Sequence, residues 1–286
     1  NCAIFLLFFL YGAKLSRASV LEGILNWRLQ SMVFFFTFIF FPLIIPLFRP
    51  AFEPLVGASL YMGLLYVACL PSTVQSSIAF TSVAAGNVPA AVCSASVSSL
   101  LGVFLTPMLV SILFSTDATA HADIGLDTIA KISYQILLPF FMGQFSQRWL
   151  RHWVHKRKEL IRWNDQGTIW LVVYTSFSGA TAQGYWTELD ATHLGGLIFV
   201  CLVLLSITHA CTYFSSKWLG FSREDCITIV FCGSKKSLAG GAPMMLAIFG
   251  AESNNLLLPL MIFHQVQLMT CAHLAKMWQP RTGKGH

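Results

Sequence analysis

The stretch FCGSKKSLAGGAPMM, Phe231 to Met245, decides how this chain is read. It interrupts an apolar run with two adjacent lysines, three glycines and a proline. Around it, 56% of the 286 residues are hydrophobic and only 10% are charged, against about 25% charged in soluble domains. That composition describes a polytopic membrane protein, all-α because a helix satisfies its backbone polar groups within itself. Lys235 and Lys236 therefore stand where an ionisable side chain costs about 2.5–3.5 kcal/mol on insertion scales. On a helix they would point about 100° apart, so at most one would face a neighbouring break directly.

Working outward, apolar runs predict helices over 1–13, 29–48, 55–70 continuing through 72–85, 88–114, 125–147, 167–184, 192–216, 224–232 continuing through 237–250, and 254–278. Counting each interrupted pair once gives about nine spans. Cytoplasmic loops collect Lys and Arg, and alternate connectors hold 14 of the 18 basic residues, from Lys14 through the segment 146–165 to Lys284. The opposite set holds Arg49 alone with Asp117, Asp123, Asp127, Glu188, Asp190 and Glu252. The split places the C-terminus in the cytoplasm, and a further helix before residue 1 would bring the count to ten. Net charge of +6 thus reads as an orientation signal and not as a nucleic-acid surface. For a bacterial chain the inner membrane is the expected location.

The first interrupted span, CLPSTVQSSIAFTSVAAGNVPAAV, carries Pro71, then Gln75, Ser76 and Ser77, and closes at Gly86-Asn87. The second carries Gly233, Gly240, Gly241 and Pro243. Proline removes a donor and glycine weakens a helix. Unwound backbone survives in a membrane only where protein or a water-filled cavity receives it. Two interrupted helices in matching places of the two halves point to inverted repeats with a binding site at the midplane. A plain proline kink competes with that reading, as does snorkelling of the lysines. In the last span His264 and Gln265 are further candidates beside Gln267, while His209, His273 and Lys131 read as packing or interface residues. The eight cysteines are scattered without a CxxC pair, and no metal-ligand cluster or catalytic pairing stands out. An enzyme, a cofactor and a metal site are not expected.

In YGAKLS, LPSTVQSS, GNVPAAV, LGVFLTPML, FCGSKKSL and FHQ, spread over nearly the whole chain, the sequence resembles the bile acid:sodium symporter superfamily, in its bacterial branch related to the seventh vertebrate member. The resemblance implies ten helices in two inverted five-helix repeats, the first helix lacking here. It implies a panel over 1–27 and 125–190, a core over 28–114 and 191–278, and two broken helices that cross. It also implies a symporter of organic anions working by alternating access. The family's sodium ligands fall here on Ser77, Ile78, Ala91 and Ala95, on Phe231 or Cys232, and on Lys235 or Lys236, a set that argues against bound sodium. A lysine ammonium in the place of the ion, with titration coupling transport to protons, is the expectation. Substrate contacts then fall to Gln75, Ser76, Ser77, Lys235, Lys236, Ser237, His264 and Gln265. A non-transporting regulator that keeps the fold is the alternative.

Overall fold

The computed structural model describes residues 5, 6, 8–10, 26–115, 137–146, 156, 158–182, 190–250 and 256–280. Every regular segment among them is helical. In chain order these are α1 (Trp27–Phe35), a π-helical turn (Phe36–Phe40), α2 (Phe41–Leu47), α3 (Arg49–Val56), α4 (Ala58–Ala68), α5 (Val74–Val83), α6 (Val88–Ser115), α7 (Lys158–Ala182), α8 (Ala191–Trp218), α9 (Arg223–Gly233), α10 (Leu238–Phe249) and α11 (Leu257–Trp278). A further helical stretch covers 137–146. Most of the expected helix over 1–13, the acidic connector at 115–127, Lys131, Glu252 and much of the basic segment lie outside the described residues.

Among the described residues, four helical stretches are long and apolar enough to cross a membrane: Trp27–Leu47, Val88–Ser115, Ala191–Trp218 and Leu257–Trp278. The two interrupted spans appear as α4–α5 and α9–α10, unwound between Ala68 and Val74 and between Gly233 and Leu238. Two boundaries differ from the sequence expectation. The helix expected over 167–184 begins at Lys158, because KELIRWND contains no Gly or Pro and strong helix formers carry the turn onward. Residues 49–54, expected as a connector, form most of α3, which starts with Pro50 in its first turn, where the missing N–H costs nothing. The Arg49 guanidinium pairs with Glu53 across one turn of it at 2.7 Å.

The interrupted spans lie at the centre of the packing. α9 touches α1, α5, α6 and α8, while α11 touches α4, α5, α8 and α10. The main apolar core runs along α2, α4, α8 and α11, with Phe41, Leu64, Tyr66, Leu204, Leu260 and Phe263 fully buried. Between α5 and α6 the chain turns through Ala85, at φ 55°, to Asn87. Asn87 accepts from the Ala90 N–H at 3.1 Å and donates through Nδ2 to Asp225 at 2.9 Å, so one side chain caps α6 and pins it to the first turn of α9. Gly86 is required there, since a Cβ would lie 2.6 Å from Ile227 Cγ2.

Candidate functional site

The unwound backbone after α4 exposes groups that no helix satisfies, and several have partners drawn from elsewhere in the chain. The Cys69 carbonyl accepts from the Thr106 hydroxyl at 2.8 Å, and the Ser72 N–H donates to Ser98 Oγ at 2.9 Å. The Pro71 carbonyl accepts from the Ser237 N–H at 2.9 Å, which joins the two breaks directly. In return the Thr73 hydroxyl donates to the Lys236 carbonyl at 2.8 Å, and the Ser77 hydroxyl to the Phe231 carbonyl at 3.2 Å. Close approach is enforced by small residues. A Cβ on Gly102 would sit 2.5 Å from the Pro71 ring, and one on Gly241 would sit 2.5 Å from Leu70 Cδ1.

The second break is held by Gln267 of α11. Its Oε1 accepts from the Lys236 N–H at 2.9 Å, and its Nε2 donates to the Lys236 carbonyl at 2.8 Å. The amide thus serves both backbone groups of one residue, as a strand partner would. Ser237 then caps α10 by accepting from the Gly240 N–H at 3.2 Å.

Both lysines are fully buried, and neither lies on a helix. They fall in the gap expected between the runs 224–232 and 237–250, so the 100° separation that a helix would impose does not apply. Neighbours in an unwound stretch project to opposite sides, and the two side chains enter different surroundings. Lys236 Nζ donates to the carbonyls of Thr37, Ala68 and Leu70 at 2.7, 2.8 and 2.9 Å, beside the Phe41 ring at 4.4 Å. The Ala68 oxygen belongs to the end of α4, the negative pole of that half-helix, and the Leu70 oxygen lies just beyond it. The third is freed by the π turn. The Phe41 N–H bonds to the Phe36 carbonyl, and Pro42, next in that register, has no N–H to give. Lys235 Nζ lies 4.0 Å from the centre of the Phe80 ring and 5.5 Å from that of Phe231, with no hydrogen-bond partner among the described residues.

The other expected site residues divide. Pro71, Ser77, Gly233, Lys236 and Ser237 converge at the crossing, and Gly86 and Asn87 form the α5–α6 turn. Gly240, Gly241 and Pro243 lie inside the first two turns of α10 and not in the unwound stretch. There the glycines admit Leu70 and expose a carbonyl that takes the Tyr66 hydroxyl at 2.7 Å. Ser76 Oγ is buried without a hydrogen-bond partner among the described residues. Gln75 and Gln265 lie on exposed positions of their helices. His264 is half-buried, with Nδ1 2.8 Å from Gln267 Nε2.

The organising roles of Gln267 and Thr37 are not assigned by the sequence reading. For Gln267 a signal exists: Leu260, Phe263, Gln267 and Cys271 recur at the spacing of one buried helical face. Among the described residues no group of three or more His, Cys, Asp or Glu stands together as a metal site.

The SBF-like CPA transporter family matches residues 1–280. Protein PA2026 of Pseudomonas aeruginosa is 53% identical, over 98% of this chain and 84% of its own length. "Putative symporter YfeH" of Escherichia coli is 47% identical, over 99% of this chain and 84% of its own length. Sodium/bile acid cotransporter 7 of Danio rerio is 28% identical, over 93% of this chain and 80% of its own length. The chain therefore belongs to the SBF-like CPA transporter family, within the bile acid:sodium symporter superfamily, as a multi-pass membrane protein of a family of transporters and not of enzymes.

Proposed function

We propose that the chain is a secondary transporter that moves an organic anion by alternating access and needs no sodium to do so, a proton gradient being the remaining driving force. One observation carries the reading: at the crossing an ammonium group is already bonded to three backbone carbonyls at 2.7–2.9 Å. Carbonyl oxygens converging in this way are what an alkali cation would otherwise take in place of its hydration shell. The remaining family positions support the same reading. Ala91 and Ala95 are buried and carry no side-chain oxygen, Ile78 is apolar, and the Ser77 hydroxyl is engaged by the Phe231 carbonyl. These residues do not suit a sodium ion, so no step of transport is routed through one.

The substrate class rests on the bile acid in the cotransporter name of the more distant relatives, and on the excess of buried positive charge. The two lysines are the only charged side chains among the buried residues described. Motion follows from construction. The crossing is tied together by direct bonds, so it moves as one body against the helices around it. The excess of Lys and Arg in alternate connectors supports a cytoplasmic C-terminus, and the inner membrane is the location proposed for a bacterial chain.

Uptake of cholate into proteoliposomes, below its micelle-forming concentration, tests the reading. Sodium is exchanged for potassium at matched ionic strength, with and without an imposed pH gradient. The expected result is uptake indifferent to sodium and stimulated by the proton gradient. Uptake that collapses without sodium overturns it.

A further inference from the structure

The two lysines differ in what their donors already hold. Lys236 spends all three of its N–H groups on carbonyls. Its removal would orphan backbone at the π turn and at the first break, so it belongs to the frame and has nothing to offer a ligand. Lys235 is equally buried, yet its amine has no hydrogen-bond partner among the described residues. The ring faces of Phe80 and Phe231 approach it, at 4.0 Å and 5.5 Å. Cation–π contact compensates desolvation only in part. A buried ammonium otherwise requires a paired charge, and no carboxylate is buried among the residues whose side chains are described. An acidic ligand would supply the counter-charge that the described residues lack.

A route exists. Phe80, whose ring covers the amine, is itself only half-buried. The amine is thus separated from the outside of α5 by about one ring. Phe80 packs on Phe231 at 6.0 Å, and Phe231 packs on Trp278 at 5.8 Å. These three rings form an apolar cover over one charged group. A ligand that displaced Phe80 would meet aromatic surface with a single fixed positive charge beneath it.

Resting on the transporter reading above, we infer that Lys235 is the residue that pairs with the acidic group of the transported anion, and that the site takes a singly charged organic acid with an apolar or aromatic body. Phe80 and Phe231 face that body, and Lys236 takes no part in contact. The assignment separates specificity from architecture within two adjacent residues.

The test is thermal shift of the detergent-purified protein at matched ionic strength. The probes are cholate below its micelle-forming concentration, 2-naphthoate, 2-naphthalenesulfonate and the uncharged 2-naphthalenemethanol. At least one of the acids is expected to raise the Tm of the wild type and of Lys235→Arg by several degrees, with no shift from the alcohol. Lys235→Met is expected to lose that shift while its ligand-free Tm stays at or above the wild-type value, because no hydrogen bond is broken by the change. An acid-dependent shift that persists in Lys235→Met overturns the role of Lys235 and leaves the transporter reading standing. A shift from the alcohol equal to that from the acids overturns the charge pairing. Failure of every acid to stabilise the wild type overturns the organic-anion reading together with this inference.

Discussion

A single amine at position 236 satisfies three carbonyls that the chain cannot otherwise pair. An acceptor left buried and unpaired costs about 1–3 kcal/mol, and deleting one partner of a buried charged contact costs about 3–5 kcal/mol. Lys236→Ala is therefore expected to lower stability by about 3 kcal/mol or more in chemical denaturation. Because the carbonyls stay in place, ammonium, sodium or potassium ions should restore part of the loss in that variant while leaving the wild type unmoved. Gln267→Leu strips the N–H of Lys236 of its only acceptor and should cost about 1–3 kcal/mol. Gln267→Glu recovers the acceptor but cannot donate to the Lys236 carbonyl, so it should not restore full stability in the same measurement.

At the scale of elements, the crossing depends on helices approaching more closely than ordinary side chains allow. The contact of Gly102 with Pro71 is the least forgiving, since a proline ring has no rotamer in which to retreat. Gly102→Ala should cost about 1–3 kcal/mol, and more than Gly241→Ala, where the end of the Leu70 side chain can turn aside. A thermal-denaturation comparison of the two variants checks the order.

The same elements show what can be read from residue order. Pro71 and Gly233 mark both breaks because one lacks a donor and the other weakens the turn it ends, and the lysines are conspicuous in an apolar setting. The π turn over Phe36–Phe40 is not legible. FTFIF is uniformly apolar, and the shift of register shows only when the Thr37 carbonyl is seen to leave its own helix. Nor does order alone tell Gln265 from Gln267, two residues apart in HQVQ. Helical phase, once the buried face of α11 is known, selects the second. The start of α7 departs from the expectation because a charged segment reads as a loop, although charged residues are good helix formers where a helix leaves the membrane.

For the whole molecule, the interrupted spans of the two halves complete each other. The carbonyls of Ala68, Leu70 and Pro71, all in the first half, take their donors from Lys236 and Ser237 in the second. This sets a timetable for biosynthesis. While the chain leaves the ribosome, its leading portion must wait in the lipid with an unfinished joint until some 165 more residues arrive, exposed to quality-control proteolysis all the while. Two fragments divided within the basic segment 147–157 should therefore accumulate when co-expressed, whereas the leading fragment made by itself should be degraded, as immunoblots of membrane fractions would show. Stable accumulation of the solitary fragment would mean that water, and not its distant partner, can finish the joint.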